Sequence, residues 1–115
     1  MKAPQISEAK FLKSVLILAR TLGWSCAHFK TACVQRKDGS KYYATPIQAD
    51  GKGFPDLVLV RPPRLLFLEL KAEGGKLSKE QAEWLDLLME VPGAEAIPAW
   101  PKDWDYLVLL LRGKE

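Results

Sequence analysis

Two continuous apolar runs, Leu57–Val60 and Leu65–Leu70, are separated only by Arg61-Pro-Pro-Arg64. Proline has no amide hydrogen and cannot continue a central strand, so the chain must turn there. The runs therefore form an antiparallel pair, and their lack of alternation calls for helices on both faces. Such a sheet makes its own end residues unusual. Asp56 opens the first run after Pro55, and Glu69-Leu70-Lys71 closes the second. A charge at the end of a buried strand is costly unless it is paired or holds a cation.

Residues two apart in a strand share a face, so Glu69 and Lys71 point one way and Leu70 the other. A short turn between runs of this length brings the start of one beside the end of the other. Asp56, Glu69 and Lys71 should then converge at one end of the sheet. Two carboxylates that close repel, and a hard cation such as Mg²⁺ relieves the repulsion, with the Leu70 carbonyl as a third oxygen ligand. Such a cation acidifies a bound water and polarises a phosphate oxygen. Lys71 would orient the water and offset charge in the transition state. The pattern points to hydrolysis of a phosphodiester. Each residue also has an ordinary role: Asp56 can cap a turn, and Glu69 and Lys71 can pair at the surface. Their combination at the ends of two apolar runs favours a site.

Ser7–Leu22 reads as a helix ended by Gly23, with Phe11, Leu12, Val15, Ala19 and Leu22 on one face. Glu8 falls within that stripe. It can complement the helix dipole or point inward at something positive. Trp24–Lys30 suits a strand, and Val34–Lys37 and Ser40–Thr45 flank a two-residue hairpin turn at Asp38-Gly39. Gln48–Gly53 is a flexible approach to Pro55-Asp56. Ser78-Lys-Glu-Gln81 has the form of a capping box and starts a helix bearing Trp84, Leu85 and Leu88 on the face of Gln81. The Gln81 amide can close the cap or reach the site. Ala94–Trp100 supplies a last strand and Asp103–Arg112 a closing helix, with Trp104, Leu107, Val108 and Leu111 aligned. The order predicts an α/β fold, an αβββαβ(α) sandwich with a central sheet flanked by helices.

With 115 residues, 48% of them apolar, the chain suits one domain with its own core. The net charge of +3 is mild, but Lys30 to Lys52 holds five cations (Lys30, Arg36, Lys37, Lys41, Lys52) against Asp38 and Asp50, and so carries +3 by itself. A basic hairpin followed by Tyr42 and Tyr43 offers cations to phosphates and rings to bases. A solvated hairpin with a half-buried aromatic pair is the plainer alternative. Cys26, Cys33 and His28 fall short of the four donors of a structural zinc site. A single histidine also removes most His-based nuclease schemes. Two thiols without a signal peptide suit a reducing cytoplasm. Val15–Ala19 is too short to span a bilayer, so no membrane partner is expected.

Gly53-Phe-Pro-Asp56, the strand after it, Arg61-Pro-Pro-Arg64, Leu66-Phe-Leu-Glu69-Leu-Lys71 and Leu77-Ser-Lys-Glu-Gln81-Ala-Glu-Trp84 resemble the virus-type replication-repair nuclease (VRR-NUC) family of the PD-(D/E)xK superfamily. The likeness is close over Gly53–Leu88, looser over Glu8–Gly23 and the C-terminal end, and is to stand-alone phage or bacterial members. It implies a restriction-endonuclease-like core with a mixed sheet, and an endodeoxyribonuclease dependent on Mg²⁺ or Mn²⁺. Glu8, Asp56, Glu69, Lys71 and Gln81 would form the catalytic set. Asp56, Glu69 and the Leu70 carbonyl would hold the metal, with Glu8 a further candidate.

The resemblance also implies branched or duplex DNA as partner and a Holliday-junction resolvase-like homodimer. Its setting would be replication, recombination or repair in the cytoplasm of a bacterial or phage-infected cell, at the nucleoid. Lys30, Arg36, Lys37, Lys41, Tyr42, Lys52 and Lys76 are the candidate DNA contacts. The segment at about 30–52 is long for a minimal member and reads as a basic hairpin insertion in a domain spanning 1–115. A catalytically quiet DNA-binding subunit, or a flap or restriction-type nuclease, are the alternatives.

Overall fold

The computed structural model describes residues 6–29, 32–44 and 52–113, of which 32–34 and 42–44 are described by their main chain only. Helix α1 (Glu8–Thr21) is capped by Ser7, whose hydroxyl accepts from the Lys10 amide at 3.2 Å. Strand β1 (Ser25–His28) follows, then β2 (Ala32–Gln35) and β3 (Lys41–Ala44), which pair with each other as a separate two-stranded sheet. Strands β4 (Leu57–Arg61) and β5 (Arg64–Leu70) form the antiparallel pair the apolar runs demanded. Helix α2 (Lys79–Met89) crosses over to β6 (Ala94–Ala99), parallel to β5, because a parallel neighbour cannot be reached by a tight turn. The mixed sheet runs β1-β4-β5-β6. A 3₁₀ turn, Pro101–Asp103, leads into helix α3 (Trp104–Arg112).

Phe11, Val15, Leu16 and Ala19 of α1 and Leu107 and Leu111 of α3 share one buried core with Leu57, Leu59, Leu66 and Leu68. Both helices thus cover one face of the sheet, and α2 lies on the other. Cover of that second face is partial among the described residues, against the expectation of two fully covered faces: Val60 is 38% exposed. The cause is width. One helix is about 10 Å across, while four strands about 4.8 Å apart are wider than that.

The connection between β4 and β5 is tighter than the four residues suggested. Arg61 pairs with Arg64, leaving Pro62-Pro63, joined by a cis peptide bond, as the turn. The two arginines belong to the core's edge. Each guanidinium stacks 4.9 Å from the Trp24 ring. Arg61 donates to the carbonyls of Leu22 (2.9 Å) and Arg112 (3.1 Å), and Arg64 to that of Leu110 (2.7 Å) and to both Glu95 oxygens. Carbonyls at the ends of α1 and α3 that lack intrahelical donors are satisfied this way. The β2–β3 turn also differs from expectation. It has three residues, Lys37–Gly39, with the Arg36 amide donating to the Ser40 carbonyl at 2.7 Å. A two-residue type I′ turn needs positive φ at both positions. Only Gly39 supplies it (φ +92°), while the Asp38 carboxylate accepts from the Ser40 amide and hydroxyl at 2.8 and 2.6 Å.

Candidate active site

Leu57 pairs with Leu68, so Asp56 lies opposite Glu69 across the ladder. The Phe29 amide donates to the Asp56 carbonyl at 3.1 Å, and the Lys71 amide to that of Ala99 at 2.9 Å. The sheet therefore fixes the main chain on both sides of the converging charges.

What brings Asp56 in is the loop before it. The Phe54 ring meets Trp84 of α2 edge-on at 5.1 Å and both Phe29 and Phe67 at 5.9 Å. Pro55 is fully buried behind it. Gly53, at φ +98°, lies against the start of α2, where an added Cβ would sit 2.7 Å from the Glu80 carbonyl carbon and 2.8 Å from the Gln81 nitrogen. Neither backbone atom can give way. Gly53→Ala is therefore expected to cost about 2–4 kcal/mol, from overpacking and a left-handed φ together. Urea denaturation checks it; an unchanged midpoint would show that the loop does not depend on this contact.

Glu69 is the buried charge, 2% exposed, on the α2 side of the sheet. Gln81 does both things open to it. Its Oε1 accepts from the Ser78 amide at 2.9 Å, closing the capping box, while its Nε2 donates to Glu69 Oε2 at 3.2 Å. Among the described residues, Glu69 Oε1 has no hydrogen-bond partner. Burying an ionised carboxylate costs several kcal/mol, and one hydrogen bond returns only about 1 kcal/mol. The Glu69 carboxyl is accordingly pushed up to about 9, by burial first and then by Asp56, with Lys71 acting in the other direction. Glu8 is raised too, by burial and Asp56, again opposed by Lys71. Glu8, Asp56, Glu69 and Lys71 thus share one electrostatic neighbourhood.

The donor set suits a divalent cation. The Glu69 carboxyl, with one oxygen orphaned, lies within hydrogen-bonding reach of the Asp56 carboxylate, and only a cation or a shared proton can hold both. Among the described residues, no three Asp, Glu, His or Cys side chains gather closely enough to hold a metal by themselves.

Beside these residues a cleft of about 300 Å³ opens between α1 and the ends of β1 and β4, lined by Glu8, Leu12, His28, Phe29, Asp56 and Leu70 among others. His28 was set aside in the sequence because it is the only histidine. Its place appears only through the pairing of β1 with β4, which puts His28 opposite Leu57, one residue from Asp56. Phe54 escaped notice for the same reason, since its three ring partners come from three other elements.

The DNA-contact candidates divide. Lys37 and Lys41 are exposed at the tip and on β3 of the hairpin, and Arg36 hydrogen-bonds Ser40 at 3.4 Å. Lys52 is exposed beside the loop to Asp56, near enough to Glu80 at the start of α2 to favour its ionised form, and Lys76 is exposed just ahead of that helix. Lys30 and the side chain of Tyr42 lie outside the described residues.

A Pro-Asp turn and a Glu-x-Lys strand end, brought together on a mixed sheet between helices, are the arrangement of a PD-(D/E)xK nuclease. A model of the VRR-NUC domain matches residues 10–98, most of the chain, and the chain belongs to that family. It is a nuclease, with DNA the substrate its class implies. The matched span begins two residues after Glu8 and stops before α3. No curated protein and no solved structure matches the chain. No helix among the described residues is long and apolar enough to cross a membrane.

Proposed function

We propose that this protein is an endodeoxyribonuclease dependent on Mg²⁺ or Mn²⁺ that prefers branched DNA and acts as a homodimer, as a Holliday-junction resolvase does. The observation that carries the reading is the buried Glu69 carboxyl, its Oε1 unpartnered among the described residues, close enough to Asp56 and Lys71 for both to act on its charge. Asp56, Glu69 and the Leu70 carbonyl would hold the cation, which supplies an acidified water and a polarised phosphate oxygen. Lys71 holds the attacking water in line and offsets the charge that grows on the phosphate oxygens. Gln81 keeps the Glu69 carboxylate aimed, since one end of its amide is fixed by the helix cap. Glu8 reaches the same cleft from α1 and would order water around the cation.

A four-way junction needs two matched cuts and one such site makes one, which is the physical reason for a dimer. The chain is read as one domain with the β2–β3 hairpin as its basic insertion, offering Lys37 and Lys41 to the backbone of a branched arm. The cytoplasm, with its DNA, is the setting this function needs.

Cleavage of four-way junction, flap, Y-form and plain duplex side by side in Mn²⁺ tests the proposal. Faster cutting of the junction, in paired symmetric positions, is expected. Equal rates on all four would remove the branched-DNA preference. Binding to every substrate without cutting of any would favour the catalytically quiet subunit.

A further inference from the structure

The cleft beside the carboxylates has an uneven wall. Of its polar side chains, Glu8 and Asp56 bring negative charge and, when ionised, only acceptors. A phosphodiester entering there is also an anion with only acceptor oxygens. Among the described residues, His28 is the one side-chain donor lining the cleft. Its size is ample for a phosphate with its waters, since one water needs no more than about 15 Å³ of such space.

The strand register fixes where His28 points. In β1 the half-buried residues are Cys26 and His28, paired with Leu59 and Leu57, so the imidazole shares their sheet face and lies under the start of α1. β1 is an edge strand of the four-stranded sheet and His28 is its last residue, one before the amide that holds the Asp56 carbonyl. Among the described residues, nothing hydrogen-bonds the imidazole. Within the described residues, a donor without a partner thus stands in an open cleft, tied through the backbone to a proposed metal ligand.

We propose that His28 donates a hydrogen bond to a phosphate oxygen of the DNA strand entering this cleft, and so positions the phosphodiester to be cut. The contact rests on the nuclease reading above. It needs no change of charge, because a neutral imidazole always carries one N–H.

The test separates donor from packing. His28→Phe keeps a ring without an N–H, whereas His28→Asn and His28→Gln return an N–H near one or the other ring nitrogen. Single-turnover cleavage of a flap or junction in Mn²⁺ is expected to fall about 10- to 100-fold in His28→Phe, the usual weight of a hydrogen bond to a charged group. Asn or Gln should recover most of it, with thermal midpoints and Mn²⁺ isotherms like wild type. Wild-type cleavage by His28→Phe would overturn the proposal, as would failure of both amides to outperform Phe at equal stability. A binding arm reads the same contact without cutting. In a Lys71→Ala background, fluorescence anisotropy with duplex DNA should show weaker binding on adding His28→Phe. If the wild-type chain cuts nothing while this weakening appears, the nuclease reading falls and the phosphate contact stands. If cutting is seen and the weakening is not, His28 is a packing residue.

Discussion

Lys71→Ala is expected to lower single-turnover cleavage by at least about 100-fold, the cost of deleting one donor aimed at developing charge. Binding of duplex and four-way junction should stay within a few-fold of wild type, because Lys71 is half-buried at the strand end and not part of the exposed basic surface. The separation follows from its neighbours. Lys71 favours the ionised forms of Glu69 and Glu8, so it already offsets negative charge where the phosphate must sit. Cleavage and anisotropy on the same junction check the pair of effects. Cutting at the wild-type rate would assign the water to another group, and a parallel loss of binding would make Lys71 a backbone anchor.

Glu69→Gln should abolish cleavage and yet stabilise the metal-free protein at alkaline pH. The carboxyl is held up to about 9 in the folded chain, against about 4.3 for an unconstrained glutamate. Between these values the folded form keeps a proton that the unfolded form has released. The stability from this protonated carboxyl is complete at acid pH and is lost as pH rises through 9. Stability therefore declines from pH 5 to pH 9, and the wild-type midpoint in chelator should fall across that range. Glutamine carries no such proton. Its melting curve should be flatter with pH and lie above wild type near pH 9. Parallel curves would mean that Glu69 titrates normally, and with it would go the argument that the buried oxygen awaits a cation. Added Mn²⁺ should stabilise wild type and not the variant.

Much of this was legible in the chain because it is local. The Pro-Pro turn and the two unbroken apolar runs determined the antiparallel pair, and the period of two put Glu69 and Lys71 on one face. Ser78 with Gln81 spelled the start of α2, and the Ser7–Gly23 stripe spelled α1. Pairing Asp56 with Glu69 needed only strand length and a short turn. Glu8 and Gln81 could be placed on helical faces, but each had two roles that sequence spacing cannot separate. For Gln81 the structure shows both, through the two ends of one amide.

Other features depended on contacts between segments far apart in the chain. Sequence cannot say that Arg61 and Arg64 would enclose Trp24 and hold the ends of α1 and α3, since those carbonyls lie 39 to 51 residues away. It could not weigh the cost of charge on Glu69, which depends on burial and on the neighbours that surround it. Nor could it place His28, whose meaning comes from an edge-strand register and from a helix that begins twenty residues earlier. The Asp56–Glu69–Lys71 convergence was thus written in the sequence, because strand periodicity and one turn suffice to bring it about. The burial that raises the Glu69 pKa, the clamp of Gly53 on α2 and the place of His28 in the cleft were decided by tertiary packing, because desolvation and contact distance have no local code.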